Sequence, residues 1–154
     1  MPRALEITRS GGVGDHQEWR HWGNDEGNKL ACEYTVVLKI SEENRWGFNC
    51  DSGYVHTAPV NDPRFKPNAI GFLHMLGNVF QPVADCYYDD MTNGDRIQYD
   101  QDAPPLIGFS RCYRVTKGNY WGGPFYMTRS ASRIGLNPAV RWNGVGLRLA
   151  RTLD

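Results

Sequence analysis

The sequence predicts an α+β domain that is rich in β-structure, with two short helices and much irregular loop. Three segments of strand character follow one another near the C-terminus, and Gly, Pro and Asn turns separate them: RCYRVTKG (111–118), YMTRSASR (126–133) and GVGLRLAR (144–151). A fourth, YTVVLKI (34–40), is rich in the β-branched residues that favour strands. Because helical patterns are few and short, the balance favours a fold built on a sheet.

The first predicted helix is DHQEWRHW (15–22). Asp15 is a suitable N-cap for it, and Trp19 and Trp22 stand three residues apart, which places both indoles on one helix face. Residues 1–14, which hold one short apolar pair and a Gly cluster, are expected to form an N-terminal arm. At 154 residues the chain, 1–154, is predicted to be a single domain.

The middle of the chain combines loops with the second helix. The segment 68–90 is predicted to begin as one or two helical turns and to continue as a strand from near Asn78, and Pro82 indicates an edge strand or a bulge. Residues 44–67 form a long irregular stretch dotted with aromatics, which is typical of a functional or self-packed loop. Residues 89–105 are predicted to be a polar loop.

The charges exclude a protein that binds nucleic acid through its overall field, because Lys plus Arg and Asp plus Glu balance at 17 each. They are uneven along the chain: residues 85–102 hold six Asp and one Arg, whereas residues 110–153 hold eight Lys or Arg and no acid. Two explanations stay open. Either the two stretches face each other in the fold, or a basic C-terminal face meets an acidic ligand.

The N-terminal MPRALEITRSGG lacks the apolar core of a signal peptide, and nowhere do about 18 apolar residues run together. We therefore expect a soluble chain without membrane insertion, whose export or display on a virion or cell surface would need a partner. Cys32, Cys50, Cys86 and Cys112 are too far apart for a C-x-x-C motif. Cys86 and Cys112 lie in apolar, strand-like settings and are expected to behave as small buried hydrophobes.

The residues indicate no catalytic group, no metal and no cofactor. An EF-hand counted from Asp89 fails because Met91 stands where an oxygen ligand is needed, although a less regular cation site in the Asp-rich loop stays open. The four histidines (His16, His21, His56 and His74) share no helical i, i+4 spacing for zinc. There is no G-x-S-x-G elbow, and GGVG (11–14) follows no strand.

Four motifs nevertheless occur in the order of a known family: TAPVNDPRFKPNAIGFLHMLGNVFQPVAD (57–85), RVTKGNYW (114–121), RSASR (129–133) and VGLRLAR (145–151). They resemble motifs of the formylglycine-generating-enzyme (sulfatase-modifying factor) superfamily, in turn T-P-V … G-N-V-W-E-W, R-V-x-R-G-G-S-W, R-S-A-x-R and I-G-F-R-L-A-R. EWRHWGND (18–25) is more weakly similar. The resemblance implies a variant C-type lectin fold from about Glu18 onward.

Departures from that family bear on activity. Its oxidising members carry two copper-binding cysteines just after the G-G-S-W corner, whereas GGPFYMT (122–128) holds none here, and neither Pro124 nor Met127 replaces a thiolate. His74 and Gln81 stand where the resemblance places acidic or amide calcium ligands, so we expect that calcium site to be lost. The resemblance to this branch therefore does not imply its enzymatic reaction.

A second branch of the same fold is also similar. The variable proteins of diversity-generating retroelements, including a phage major tropism determinant, display a mutable C-terminal face on this scaffold, which corresponds to residues 111–151 here. Scaffold positions implied by the two resemblances are Gly77, Asn78, Gly118, Trp121, Arg129, Ala131, Pro138, Val145, Gly146 and Arg148. Variable, ligand-binding positions implied by the second resemblance are Tyr120, Gly122, Gly123, Pro124, Tyr126, Ser132, Ile134, Gly135, Val140, Trp142 and Gly144.

The resulting prediction is a non-enzymatic protein that recognises a protein or cell-surface receptor through this C-terminal face, as an oligomer or on a larger particle. Exposed Tyr and Trp are typical anchors of such surfaces. Phe125 and Leu136 are equally compatible with core and surface. Two alternatives stay open: a divergent enzyme or accessory domain of the family, and a lectin-like binder of anionic glycans that would use exposed arginines. The arginines for that role are Arg129, Arg133, Arg141 and Arg148.

Overall fold

The computed structural model describes residues 19–23, 29–87 and 113–149. Two short 3-10 helices and three strands occur in the described part, in this order along the chain: η1 (Leu30–Glu33), β1 (Gln81–Cys86), β2 (Arg114–Lys117), η2 (Phe125–Met127) and β3 (Ile134–Leu136). The remaining described residues form turns and irregular loops. The prediction of a β-rich fold with much loop is confirmed, whereas the described residues contain no α-helix.

The three strands form one antiparallel sheet with β2 in the centre. Gln81 pairs with Lys117 and Pro82 with Thr116, but the register shifts before Cys86 meets Arg114. On the other side of β2, Thr116 pairs with Ile134. The prediction for Pro82 is confirmed, because β1 lies at the edge of the sheet formed by the described strands and its pairing is interrupted by a bulge, where a missing backbone N–H is tolerated.

Three predicted strands are wrong, because each segment makes too few backbone pairs for a ladder. In 34–40 the only strand-type pairing is an isolated bridge between Lys39 and Phe48. In 144–149, the described part of the third predicted strand, the corresponding bridge joins Val145 to Phe80. Residues 126–133 contain the end of η2 and a turn, and the strand begins only at Ile134.

The predicted helices are also wrong where the structure describes them. Residues 19–22 form a bend and a turn, with Trp19 exposed and Trp22 buried, so the two indoles share no face. Residues 68–77 are irregular, because the Asn68 side chain accepts hydrogen bonds from the backbone N–H groups of Ile70 and Phe72 in place of helical partners. The predictions for 1–14, 89–105 and Cys112 lie outside the described residues.

A tight turn at Gly77-Asn78 leads the chain into β1. Both residues have positive φ, 80° and 61°, and a side chain on Gly77 would collide with Thr35 and the Val36 carbonyl. Asn78 is buried, and its amide both accepts from the Ala58 N–H at 2.9 Å and donates to the Ala58 carbonyl at 3.2 Å. These contacts are compatible with the predicted scaffold role of the pair, which stays a prediction.

Among the described residues, the buried apolar side chains form three small clusters. The largest contains Trp22, Ala31, Val37, Phe48 and Leu76. At its edge a disulfide joins Cys32 to Cys50, which are 18 residues apart in the sequence. This bridge, which the cysteine spacing did not predict, connects the two ends of the segment that carries the exposed 41–46 loop.

Candidate ligand-binding surface

The first aromatic cluster, called here the C-terminal cluster, contains Phe80, Tyr120 and Trp142. The rings of Tyr120 and Trp142 meet edge to face with centroids 4.5 Å apart, and Phe80 lies 5.1 Å from Tyr120 and 6.3 Å from Trp142. Phe80 is buried, Tyr120 is half-buried, and Trp142 is 43% exposed. Edge-to-face contacts of this kind hold rings in defined orientations. The indole of Trp142 is therefore both exposed and supported from beneath.

A second group of rings, called here the loop cluster, contains Trp46, Phe125 and Tyr126. Trp46 lies 5.9 Å from Tyr126 in a T-shaped contact and 6.4 Å from Phe125. The backbone N–H of Phe125 donates to the Trp46 carbonyl at 2.8 Å, which ties the two segments together. Trp46 is 61% and Tyr126 50% exposed, whereas Phe125 is half-buried against the core. Sequence reasoning assigned no site role to Trp46, although the aromatic content of 44–67 was a signal.

A buried arginine holds the loop cluster in place. The guanidinium of Arg20 donates to the carbonyls of Thr128 at 2.8 Å and Phe125 at 2.9 Å, and it lies 5.5 Å from the centre of the Phe48 ring. Arg20 thus bonds carbonyls at both ends of η2. The backbone of residues 125–128 is instead held by the 3-10 hydrogen bond from the Thr128 N–H to the Phe125 carbonyl and by these two bonds from Arg20.

The glycines predicted to be variable differ in how much space surrounds them. A Cβ on Gly123 would collide with the Asn119 amide, which is fixed by hydrogen bonds from its Nδ2 to Pro124 O and Thr128 Oγ1. A Cβ on Gly135 would collide with the Tyr87 ring. On Gly122 it would approach only the far end of the Tyr120 ring, at 2.8 Å. Packing therefore constrains Gly123 and Gly135 more than Gly122.

The other predicted ligand-binding positions do not all lie together. Val140 and Trp142 belong to the exposed loop 137–143. Gly144 packs beneath the C-terminal cluster, since a Cβ there would lie 2.8 Å from Trp142 and 3.0 Å from Tyr120. Ile134 lies in β3 opposite Thr116 and is half-buried. Pro124 and Ser132 are half-buried as well. The assignment of a ligand to these positions stays a prediction.

The predicted scaffold residues of the C-terminal region mostly make structural contacts. Gly118 has a φ of 87° and lies against Gln81, and Gly146 packs on Val79. Trp121 is half-buried and meets the His56 ring edge to face at 4.4 Å. The Arg129 guanidinium lies 5.3 Å from the centre of the Trp19 ring. Two further scaffold positions, Ala131 and Pro138, are exposed.

Arg148 and Gln81 form the centre of a polar network beneath the C-terminal segment. Arg148 donates from Nε to Gln81 Oε1 and from Nη2 to the Leu73 carbonyl, both at 2.7 Å. Gln81 Nε2 donates to the carbonyls of His74 at 3.0 Å and Met75 at 3.3 Å. Both polar atoms of the Gln81 amide thus make hydrogen bonds inside the protein.

His74 is the second residue that stands where the family resemblance places a calcium ligand. Its ring is buried, Nδ1 lies 3.0 Å from Thr35 Oγ1, and its backbone has a positive φ of 51°. Burial lowers the pKa of His74, and the positive charge of Arg148 lowers it further. The imidazole is therefore neutral at pH 7 and packs edge to face on Phe65. Among the described residues, no three His, Cys, Asp or Glu side chains are grouped as metal ligands.

Lys117, in the central strand β2, is a second cation whose hydrogen bond goes to a neutral group. Lys117 is buried, and its Nζ donates to the Ser130 carbonyl at 2.6 Å. Burial lowers the pKa of Lys117 to about 8, and the nearby charge of Arg133 contributes in the same direction.

In the described part of the chain no helix has the length and apolar character needed to span a membrane.

The small antiparallel sheet, the irregular loops and the two aromatic clusters define a loop-dominated domain of the C-type lectin type. The chain belongs to the family of sulfatase-modifying factor enzyme 1-like domains, whose model matches residues 1–153. Among solved structures it is similar to PvdO from Pseudomonas aeruginosa, with 26% sequence identity and a TM-score of 0.66. The match covers 96% of this chain and 50% of PvdO, so the chain spans half of that protein's length. No curated protein matches it.

Proposed function

We propose that this chain is a non-enzymatic ligand-binding protein that recognises a protein or cell-surface receptor through its two aromatic clusters. The observation that carries the proposal is the pair Tyr120 and Trp142, which meet at 4.5 Å on the buried Phe80 while 43% of Trp142 stays exposed. A large ring that is already oriented loses little conformational freedom when it binds, which is the property of aromatic anchors in binding surfaces.

Residues 120–126 connect the two clusters in sequence and support one shared binding face. This segment begins with Tyr120 of the C-terminal cluster and ends with Tyr126 of the loop cluster. The Gly123 N–H donates to the Tyr120 carbonyl at 3.0 Å, which closes a turn between them. Exposed apolar side chains grouped in this way are costly in water unless a partner covers them. The proposed face therefore comprises the exposed rings of both clusters and Val140.

The proposal is tested by selecting a random dodecapeptide library on the immobilised protein. The comparison is between the wild type, Trp142→Ala and the control Phe72→Ala, whose side chain is exposed to the same degree, 45%, in another loop. We expect peptides that enrich on the wild type and on Phe72→Ala but not on Trp142→Ala. Peptides that enrich equally on all three proteins would overturn the proposed face.

We also propose that the face is diversified, as in the variable proteins of retroelements. The support is the alternation between scaffold positions and aromatic or aliphatic loop positions in residues 114–149. Sequencing the DNA beside the gene tests it: a near-copy of the codons for 114–151, differing almost only at adenines and next to a reverse transcriptase, is the expected result. The absence of such a copy would contradict diversification, and the binding face would then be invariant.

A divergent enzyme or accessory domain is the second candidate, and family membership is the observation that favours it. Against the formylglycine-generating reaction stand the absence of cysteine from 122–128 and the Gln81 amide committed to Arg148. Incubating the protein with copper and a cysteine-containing sulfatase peptide, followed by mass spectrometry, distinguishes the two. Conversion of that cysteine to an aldehyde would contradict the non-enzymatic proposal.

A further inference from the structure

Positive charge without carboxylates characterises the C-terminal part of the proposed binding face, residues 113–149, whereas the loop that carries Trp46 also holds the exposed Glu42 and Glu43. The described C-terminal part, 113–149, contains six Lys or Arg and neither Asp nor Glu. Residues 113–149, whose charged side chains are all positive, thus also carry exposed rings of the proposed face.

Two of these cations, Arg148 and Lys117, donate the hydrogen bonds described above to neutral groups. Arg148 donates to the Gln81 amide and to a carbonyl. Lys117 donates to the Ser130 carbonyl. Neutral hydrogen-bond acceptors orient a cation but do not cancel its field, and low-dielectric surroundings increase the reach of that field. Residues 113–149 therefore keep a net positive charge.

One cation also lies directly within the face. Arg141 is exposed between Val140 and Trp142, which are 41% and 43% exposed, in the loop 137–143. A guanidinium flanked by an aliphatic and an aromatic side chain is suited to a carboxylate that is itself surrounded by apolar groups, because the planar fork binds both carboxylate oxygens.

We propose that the ligand of this face is an acidic protein segment, in which Asp or Glu side chains alternate with apolar ones. This inference rests on the proposed function and adds the chemistry of the partner. A sulfated glycan fits less well, because such a ligand needs many exposed cations, whereas only Arg133 and Arg141 are exposed among the six. The exposed apolar side chains in the same part of the chain are those of Val140, Trp142 and Tyr126, which suit a peptide or protein surface.

The test uses the peptides that depend on Trp142 in the library selection described above. We expect these peptides to carry net negative charge, and their affinity to fall as salt is raised, because exposed charges are screened. A synthetic copy of one such peptide is then titrated against the wild type, Arg141→Gln and Arg141→Glu. The charge reversal is expected to weaken binding by at least about tenfold, and the neutral variant by less, since like charges repel across an interface.

The outcomes separate the two proposals. Trp142-dependent peptides that are neutral or basic, or that bind Arg141→Glu as well as the wild type, overturn the acidic partner and leave the aromatic face intact. In that case the basic residues are balanced within the chain, the alternative that the charge pattern left open. If a heparin fragment bound tightly and no Trp142-dependent peptide were found, the ligand of the face would instead be a glycan. Urea unfolding of each variant checks that the variant is folded.

Discussion

The guanidinium of Arg148 donates from Nε to Gln81 Oε1 at 2.7 Å, across 67 residues of sequence. This bond joins the last described segment to the beginning of β1, and the second donor of Arg148 reaches the Leu73 carbonyl. The loop that carries Trp142 precedes Arg148 by a few residues. The orientation of the C-terminal cluster therefore depends on a polar anchor below it as well as on ring contacts.

Replacing Arg148 by Leu is expected to destabilise the protein by about 2–4 kcal/mol, because the buried Gln81 amide oxygen and a carbonyl lose their donor. The matched control is Arg141→Leu at an exposed position, for which we expect a change within about 0.5 kcal/mol. Urea unfolding of both variants and the wild type provides the free energies. Equal stability of the two variants would show that the Arg148 network does not hold the C-terminal segment.

Gly123 and Gly122 provide a test of which positions tolerate variation. Gly123→Ser is expected to cost about 1–3 kcal/mol, because its side chain collides with Asn119, which two hydrogen bonds hold in place. Gly122→Ser needs only a small shift of the Tyr120 ring and is expected to be better tolerated. Thermal unfolding of the two variants measures the difference. If Gly123→Ser were as stable as Gly122→Ser, Gly123 would belong with the variable positions after all.

The disulfide between Cys32 and Cys50 is expected to stabilise the protein by about 3 kcal/mol, since it closes a loop between residues 18 apart and restricts the unfolded chain. The double variant Cys32→Ser/Cys50→Ser should unfold at correspondingly lower urea concentration than the oxidised wild type. Reduced wild-type protein should match the double variant. An unfolding midpoint that is insensitive to reductant would contradict the presence of this bridge.

The lowered pKa of Lys117 predicts an unusual dependence of the free energy of unfolding on pH. Burial lowers the pKa of its ammonium in the folded protein to about 8, below the ordinary value of 10.5. Between these two values the unfolded chain binds more protons than the folded chain, so the free energy of unfolding rises with pH, by up to about 3 kcal/mol. Below pH 8 both states are protonated, and the cost of burying the charge is fully present.

Urea unfolding of wild type and Lys117→Met from pH 7 to pH 10.5 measures this slope by difference, because the other titrating groups are common to both proteins. We expect the variant to lack the rise between pH 8 and pH 10.5. Parallel pH profiles for the two proteins would show that Lys117 titrates normally in the fold.

Local backbone features were predictable from the sequence where they depend on neighbouring residues alone. Gly77-Asn78 was expected to turn the chain into a strand, and both residues have positive φ. Pro82 was expected at an edge or bulge, and it lies at both. The family motifs gave the fold type, which composition and periodicity do not specify.

Other features depend on contacts between distant segments, and the sequence could not reveal them. YTVVLKI (34–40) has the composition of a strand, but the Val36 carbonyl accepts its hydrogen bond from Asn78, a turn residue, and not from a partner strand. The carbonyls of Phe125 and Thr128 accept hydrogen bonds from Arg20, which lies more than a hundred residues earlier. The site role of Trp46 likewise follows only from its contact with Tyr126.

The central claim is that the ligand binds the exposed rings of the two clusters. The most direct measurement is chemical-shift mapping of isotope-labelled protein titrated with a library-selected peptide. The account predicts that the largest perturbations fall on Trp46, Tyr120, Tyr126, Val140 and Trp142, and that Phe72 is unaffected. Perturbations centred on Phe72 and Ile70, with the rings of both clusters unchanged, would contradict it.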